Sequence, residues 1–293
     1  LGGGCPFQAG SAGFTSFREP IEADKVRGKP ERFADHYTQA TLFYASQTPV
    51  EKAHILRAFR FELTKVQVPA VRQRVVAMLA NVDAGLAEQL AAELGMPVPD
   101  PMPRALEKPV KAEVTQSPAL SLFARPGDGS IRTRRVAILV ADGVDGDVAR
   151  ALHAGLVEQG AVPRYLGARL GSVETETGDP IEVEATLETM PSVLFDALAL
   201  PGGKRAVAQL GKVGHALEFI GDQYRHAKPI FVAAAAAALV ETAGVPTALP
   251  SGERDPGLIS VEPGQALDRA LAAFVKAIAR HRHHERETDP PAV

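Results

Sequence analysis

The spacing of apolar positions changes twice along the chain, and the changes divide it. From residue 30 to 95 the spacing is helical. In "SQTPVEKAHILRAFRFELTKV", Thr48, Pro49 and Glu51 precede Ile55, Leu56, Phe59 and Leu63. Threonine with glutamate three residues later, and proline first in the helix, marks a capping-box start. The four apolar residues predict one stripe. "VPAVRQRVVAMLANV" repeats the pattern from Pro69, with Val71, Val75, Met78 and Leu79 on one side. "DAGLAEQLAAELG" predicts a third helix closed by Gly95, and "FADHYTQATLFYAS" an earlier one. Four short helices with brief connections predict a small all-α subdomain.

Residues 96 to 131 break that pattern, with prolines at 97, 99, 101, 103, 109, 118 and 126. Such spacing forbids long helices and predicts a stiff linker or a strap lying over a neighbour. From 132 to 281 strands and helices alternate. "RRVAILVA" is a continuous apolar run, as a strand buried on both faces requires. It is followed by "DVARALHAGLVEQG" as a helix, "AVPRYLGA" as a strand, and "GSVETETGDPIEVEATL" as a hairpin. "DALALPGG" predicts a strand ending in a tight turn, and "AVAQLGKVGHALEFIGDQYRHA" one helix. "KPIFVA" is a strand running into the helix "AAAAALVETAG", "GLISVEPG" a short last strand, and "PGQALDRALAAFVKAIARH" a long terminal helix. The alternation predicts an α/β domain with a doubly wound parallel sheet. Residues 1 to 29 have no sustained period and predict an extended arm that must lie on another surface. Residues 282 to 293 predict a solvated tail.

Composition narrows the function classes. Apolar residues are 45% and charged residues 23% of the chain, as in globular proteins. A formal charge of −3 gives no bulk support for nucleic acid or an acidic membrane as partner. The longest apolar run, Ile230 to Val240, is eleven residues, against ~20 needed to span a bilayer. One cysteine, Cys5, excludes an internal disulfide framework and points to a reducing cytoplasm. The first residue is Leu, so the chain is expected to start inside a longer protein.

Candidate chemistry gathers where strands end. Three loops qualify: "ADGVDGD", "PGGKR" and the alanine run 233 to 238. "PGGKR" lacks the Ser or Thr that follows Lys in a phosphate-cradling loop and reads as a tight turn. "HRHH" at 281 to 284 could take up a metal, but it ends a charged terminal helix with "ERETDPP" following and shows no carboxylate placed to orient the rings, so it reads as a solvated tail. His36, His54, His153, His215 and His226 lie in helical stretches without ligand spacing and read as surface or cap residues.

"VAILVADGVD", "FDALALPGG" and "KPIFVAAAAAALVETAGV" resemble the PfpI-type, or class I glutamine-amidotransferase-like, family. The resemblance implies a flavodoxin-like fold with a cysteine and histidine on the turn after the "KPI" strand and a carboxylate after the first strand. Those positions fall on Ala234, Ala235 and Asp145. A nucleophile needs an activatable lone pair, and Ser, Thr and Cys are absent from 233 to 238. The site is therefore expected to be degenerate, with no catalytic, cofactor-binding or metal-binding residue in the chain. Alanine suits a helix start packed close to a sheet.

"LGGGCPFQAGSAGFTSF" resembles the segment after the haem domain of haem catalases, and "FADHYTQATLFYASQTPVEKAHILRAFRFELTKV" their C-terminal helical domain. With the linker and the PfpI-type domain in this order, all 293 residues resemble the C-terminal part of a large-subunit monofunctional catalase. That resemblance implies a parent that converts hydrogen peroxide to water and oxygen, with haem, as a homotetramer. It also implies a missing haem barrel and sister subunits as partners. The family's haem ligand is a tyrosine four residues after an arginine, and Tyr37, Tyr44, Tyr165 and Tyr224 follow Phe33, Ala40, Ala161 and Ile220 instead. The expected role is structural and quaternary, with Phe33, Leu42, Phe43, Tyr44 and Phe59 partly exposed. Two alternatives are chaperone-like binding of unfolded proteins and residual PfpI-type hydrolase or glyoxalase activity.

Overall fold

The computed structural model describes residues 18–106, 110–261 and 266–288. The expected arm lies partly outside them, Cys5 included. Residues 18 to 30 are exposed and carry neither helix nor strand.

Helix α1 spans Thr38–Ala45, α2 Pro49–Thr64, α3 Pro69–Leu79 and α4 Ala84–Glu93. The capping box of α2 forms as its residues dictate: Thr48 accepts from the Glu51 amide, and Glu51 accepts from the Thr48 amide at 2.8 Å. Gly95, at φ 65°, closes α4. Leu63, Val76, Ala87, Leu90 and Ala91 form a small core. Two details depart from the expected stripes. Met78 is exposed and Val76, outside the expected stripe, is fully buried, while Val75 and Leu79 pack on the core as expected. Tyr44 is buried rather than partly exposed.

The proline-rich segment is a strap on these helices. The Met102 amide donates to Ala77 O at 2.9 Å, and Asn81 Nδ2 donates to Met102 O at 2.8 Å. Further on, buried Glu51 is the fastening point. Its carboxylate accepts from Ser121 Oγ at 3.0 Å and from the Leu122 amide at 2.8 Å. One glutamate thus caps α2 and holds the strap.

Beyond the strap come β1 (Arg135–Leu139), α5 (Gly146–Glu158), β2 (Val162–Gly167), the hairpin β3 (Gly171–Glu174) and β4 (Pro180–Val183), and β5 (Ala185–Thr186). Then follow β6 (Ala197–Leu200), α6 (Lys204–Leu210), α7 (Gly214–Arg225), β7 (Ile230–Val232), α8 (Ala237–Thr242), β8 (Leu258–Ser260), α9 (Leu267–Ala279) and α10 (Glu285–Thr288). The main sheet runs β5-β2-β1-β6-β7-β8 with every pairing parallel. The hairpin β3–β4 is antiparallel and separate.

Continuous apolar strands follow from burial on both faces. Val136 and Ile138 of β1 point into one core with Leu152 of α5 and Phe274 of α9. Ala137 and Leu139 point into the other, with Phe219 and Ile220 of α7 and Leu239 of α8. The single helix expected over 206 to 227 is two. Gly211 and Gly214 flank the break, where glycine's low helix propensity lets the chain turn. Both α6 and α7 then reach the same core through Leu210 and Phe219.

Candidate functional site

The strand order reverses between β1 and β6, and ligand sites in such sheets lie there, beyond the carboxyl ends of the strands. Three loops converge at that point. The first carries Asp145, the second Gly202 and Gly203, the third the alanines after β7.

Their backbones are nearly in contact. The Asp145 amide donates to Gly202 O at 3.4 Å. Gly203, at φ 92°, has Gly143 O only 2.2 Å from where a Cβ would stand. A Cβ on Gly202 would lie 3.3 Å from Ala235 Cβ. The Pro-Gly-Gly turn is thus a tight junction, not an anion cradle.

The expected site residues fall beside this junction without making a reactive group. Ala234 and Ala235 are exposed methyl groups. Residues Ala234–Ala236 form one 3-10 turn ahead of α8, entered from Ala233 at φ −63°. The left-handed backbone that a non-glycine residue adopts only under strain occurs at Thr133, Ala227 and His281 among the described residues, and not at this turn. Asp145 is the N-cap of α5, with Oδ1 accepting from the Val148 amide at 3.1 Å. Its carboxylate stabilises a helix start.

The tail differs more. Residues 281 to 284 are not a solvated end: His283 is 1% exposed and Arg286 5%. Arg286 reaches into the base of the α/β domain. Its Nε donates to Asp255 Oδ2 at 2.7 Å and its Nη2 to Oδ1 at 3.2 Å. Its Nη1 serves Tyr224 O at 3.1 Å and Lys228 O at 2.8 Å. The guanidinium stacks 4.1 Å from the Tyr224 ring centroid. A buried charge needs this full set of partners.

With the tail docked, α10 meets the helical subdomain. Glu287 Oε1 lies 2.7 Å from His54 Nε2 and 2.9 Å from Arg57 Nη2, both on α2. Its Oε2 lies 2.6 Å from His284 Nδ1. Burial works against ionisation of Glu287, but hydrogen bonds from His284, His54 and Arg57 outweigh it and hold its pKa below the ordinary value. Phe123 of the strap packs edge-on against the His284 ring at 5.3 Å. The sequence singled out "HRHH", which holds His284, but offered no signal for the partner on α2, since His54 and Glu287 are 233 positions apart. Elsewhere, His153 stacks on Tyr165, and His215 and His226 are exposed, His226 as the C-cap of α7.

Comparison with known proteins accounts for both halves. Residues 30–94 match a family described as catalase-related immune-responsive, and residues 132–288 match the C-terminal domain found in long catalases. Catalase HPII of Pseudomonas putida is 39% identical over 290 residues, covering 98% of this chain and 38% of that protein. Catalase HPII of Mycobacterium avium is 36% identical over 295 residues, covering 99% and 41%. Catalase-1 of Neurospora crassa is 32% identical over 303 residues, covering 97% and 40%. The chain spans about two fifths of the length of the curated relatives it matches.

Proposed function

Because the chain belongs to the long catalases and carries their C-terminal domain, we propose that it is the structural and quaternary part of a haem catalase subunit and is inactive by itself. The parent activity is conversion of hydrogen peroxide to water and oxygen, with haem in a barrel outside these residues and sister subunits completing a tetramer. The observation that carries this reading is the strand-to-helix turn after β7, where exposed methyl groups stand in place of a nucleophile and base.

The tyrosines support the absence of haem from this chain. A tyrosinate ligand must lose its proton, yet Tyr224 is pushed up to about 12, first by burial and then by the Asp255 carboxylate. Burial also raises Tyr44 and Tyr165, and the Tyr165 hydroxyl donates to Ala149 O at 3.3 Å. Tyr37 borders an open cavity of about 360 Å³ with Thr41, Asn81 and Arg104, and the Arg104 guanidinium lies 5.6 Å from its ring centroid. These residues do not fit a haem ligand set.

The test is hemin titration of the purified chain with peroxide-dependent oxygen evolution. No stoichiometric Soret band and no oxygen are expected. A one-to-one Soret band with turnover would overturn the proposal.

A second reading, chaperone-like binding of unfolded proteins, is supported by exposed Phe33, Phe43 and Phe61 around the helical subdomain. Suppression of client aggregation, lost on making Phe43 and Phe61 polar, is its signature. Full suppression by that variant would exclude this face.

A further inference from the structure

Two histidines and a glutamate from distant parts of the chain converge where α10 meets α2. The donor atoms of His54, His284 and Glu287 all lie within 4.8 Å of one another. We propose that these three residues form a binding site for a divalent transition ion of the zinc class, clamping the helical subdomain to the α/β domain.

The donor set selects the ion. Two imidazole nitrogens and one carboxylate oxygen suit zinc, cobalt, nickel or copper, whereas magnesium and calcium take oxygen ligands. Three protein ligands leave a fourth position for water. His284 and Glu287 are three residues apart at the start of α10 and present their donors together. His54 approaches from α2, and its side chain is 44% exposed, so it can rotate towards an ion without disturbing the core. Phe123 fixes the His284 ring from outside.

Arg57 is the competing cation, with Nη2 at 2.9 Å from Oε1 of Glu287. The carboxylate has two oxygens, and Oε2 faces His284 instead. The ion takes Oε2, and Arg57 keeps Oε1 as an outer hydrogen-bond partner, an arrangement common around ligating carboxylates. Binding displaces the protons that now bridge Glu287 to the two rings. From α2, His54 and Arg57 both reach Glu287 Oε1, at 2.7 and 2.9 Å.

The full chain is titrated with zinc chloride by calorimetry, and with cobalt chloride by visible absorption. One equivalent of zinc and the absorption bands of low-coordinate cobalt are expected. His54→Ala and Glu287→Gln should each weaken zinc binding by at least the roughly 10–100-fold that loss of an outer partner costs. His215→Ala, at an exposed histidine of α7 outside the cluster, should leave affinity unchanged. Because the His54 side chain is 44% exposed, His54→Ala should keep the far-UV circular dichroism of the parent. It therefore decides the matter even if Glu287→Gln fails to fold. Absence of saturable zinc binding, or binding that His54→Ala leaves intact, would overturn the assignment.

Discussion

Arg286 is the position where a single change should do most damage. The Arg286→Met substitution keeps the length of the stem and removes the guanidinium. Asp255, 0% exposed, is then left charged with the Gly257 amide at 2.8 Å. Tyr224 O and Lys228 O lose their common donor. Removing one partner of a buried pair costs about 3–5 kcal/mol, because the other charge stays desolvated. Loss of the stacking on Tyr224 adds about 0.5–2 kcal/mol. The chain has no tryptophan, so urea unfolding is followed by circular dichroism at 222 nm. A destabilisation of ~3 kcal/mol or more is expected. Adding Asp255→Asn should recover part of it, since the amide keeps the acceptor for Gly257 without a charge. A change under ~1 kcal/mol for Arg286→Met would refute the claim that this ion pair anchors the tail.

Other outcomes follow from the same contacts. Glu51→Ala removes a helix cap and the fastening of the strap, so a loss of about 1–3 kcal/mol and faster proteolysis around residues 117 to 125 are expected. Gly203→Ala puts a Cβ onto Gly143 O at a left-handed position, and soluble yield and melting temperature should both fall. For Asp196, burial opposes ionisation, but the nearby His281 ring at 3.6 Å, the hydrogen bond from the Arg135 amide and the charge of Arg134 prevail, and its pKa falls to about 2. Unfolded, it titrates near 3.8. Its contribution to stability is therefore complete above about pH 4 and lost as pH falls towards 2. Asp196→Asn should flatten the melting-temperature profile over that window. Ala234→Cys in a Cys5→Ser background should be alkylated by iodoacetamide at an ordinary thiol rate, with no esterase turnover, because alanine stands at 235 where a histidine would activate the thiol; rapid alkylation would point to an activated site.

Much of the architecture was legible from local chemistry. A capping box, a proline at the first helical position and a glycine after the last turn act over a few residues, and α2, α3 and α4 form where these signals stand. The buried strands β1, β6 and β7 follow from apolar runs that only a two-sided sheet can bury. At the turn after β7 the sequence names the side chains, alanine at 234 and 235, whereas the meeting of that turn with the loops carrying Asp145 and Gly202 came from the fold. The split between α6 and α7 was less legible: two glycines weaken a helix without dictating a break.

What sequence could not reveal is the fate of residues 281 to 288. By composition they are a run of charges, which free in water would remain solvated. The partner of each lies far along the chain: Asp255 for Arg286, and His54 with Arg57 for Glu287. Spacing carries no information about such pairs. The sequence by itself determined helices α1 to α5, the strands β1, β2, β6, β7 and β8, and the chain order of helical subdomain, strap and α/β domain, because hydrogen-bond caps and hydrophobic periods are local. Only the tertiary structure decided that the tail is a buried clasp with a two-histidine, one-glutamate corner, because burial of a charge depends on partners that folding alone brings together.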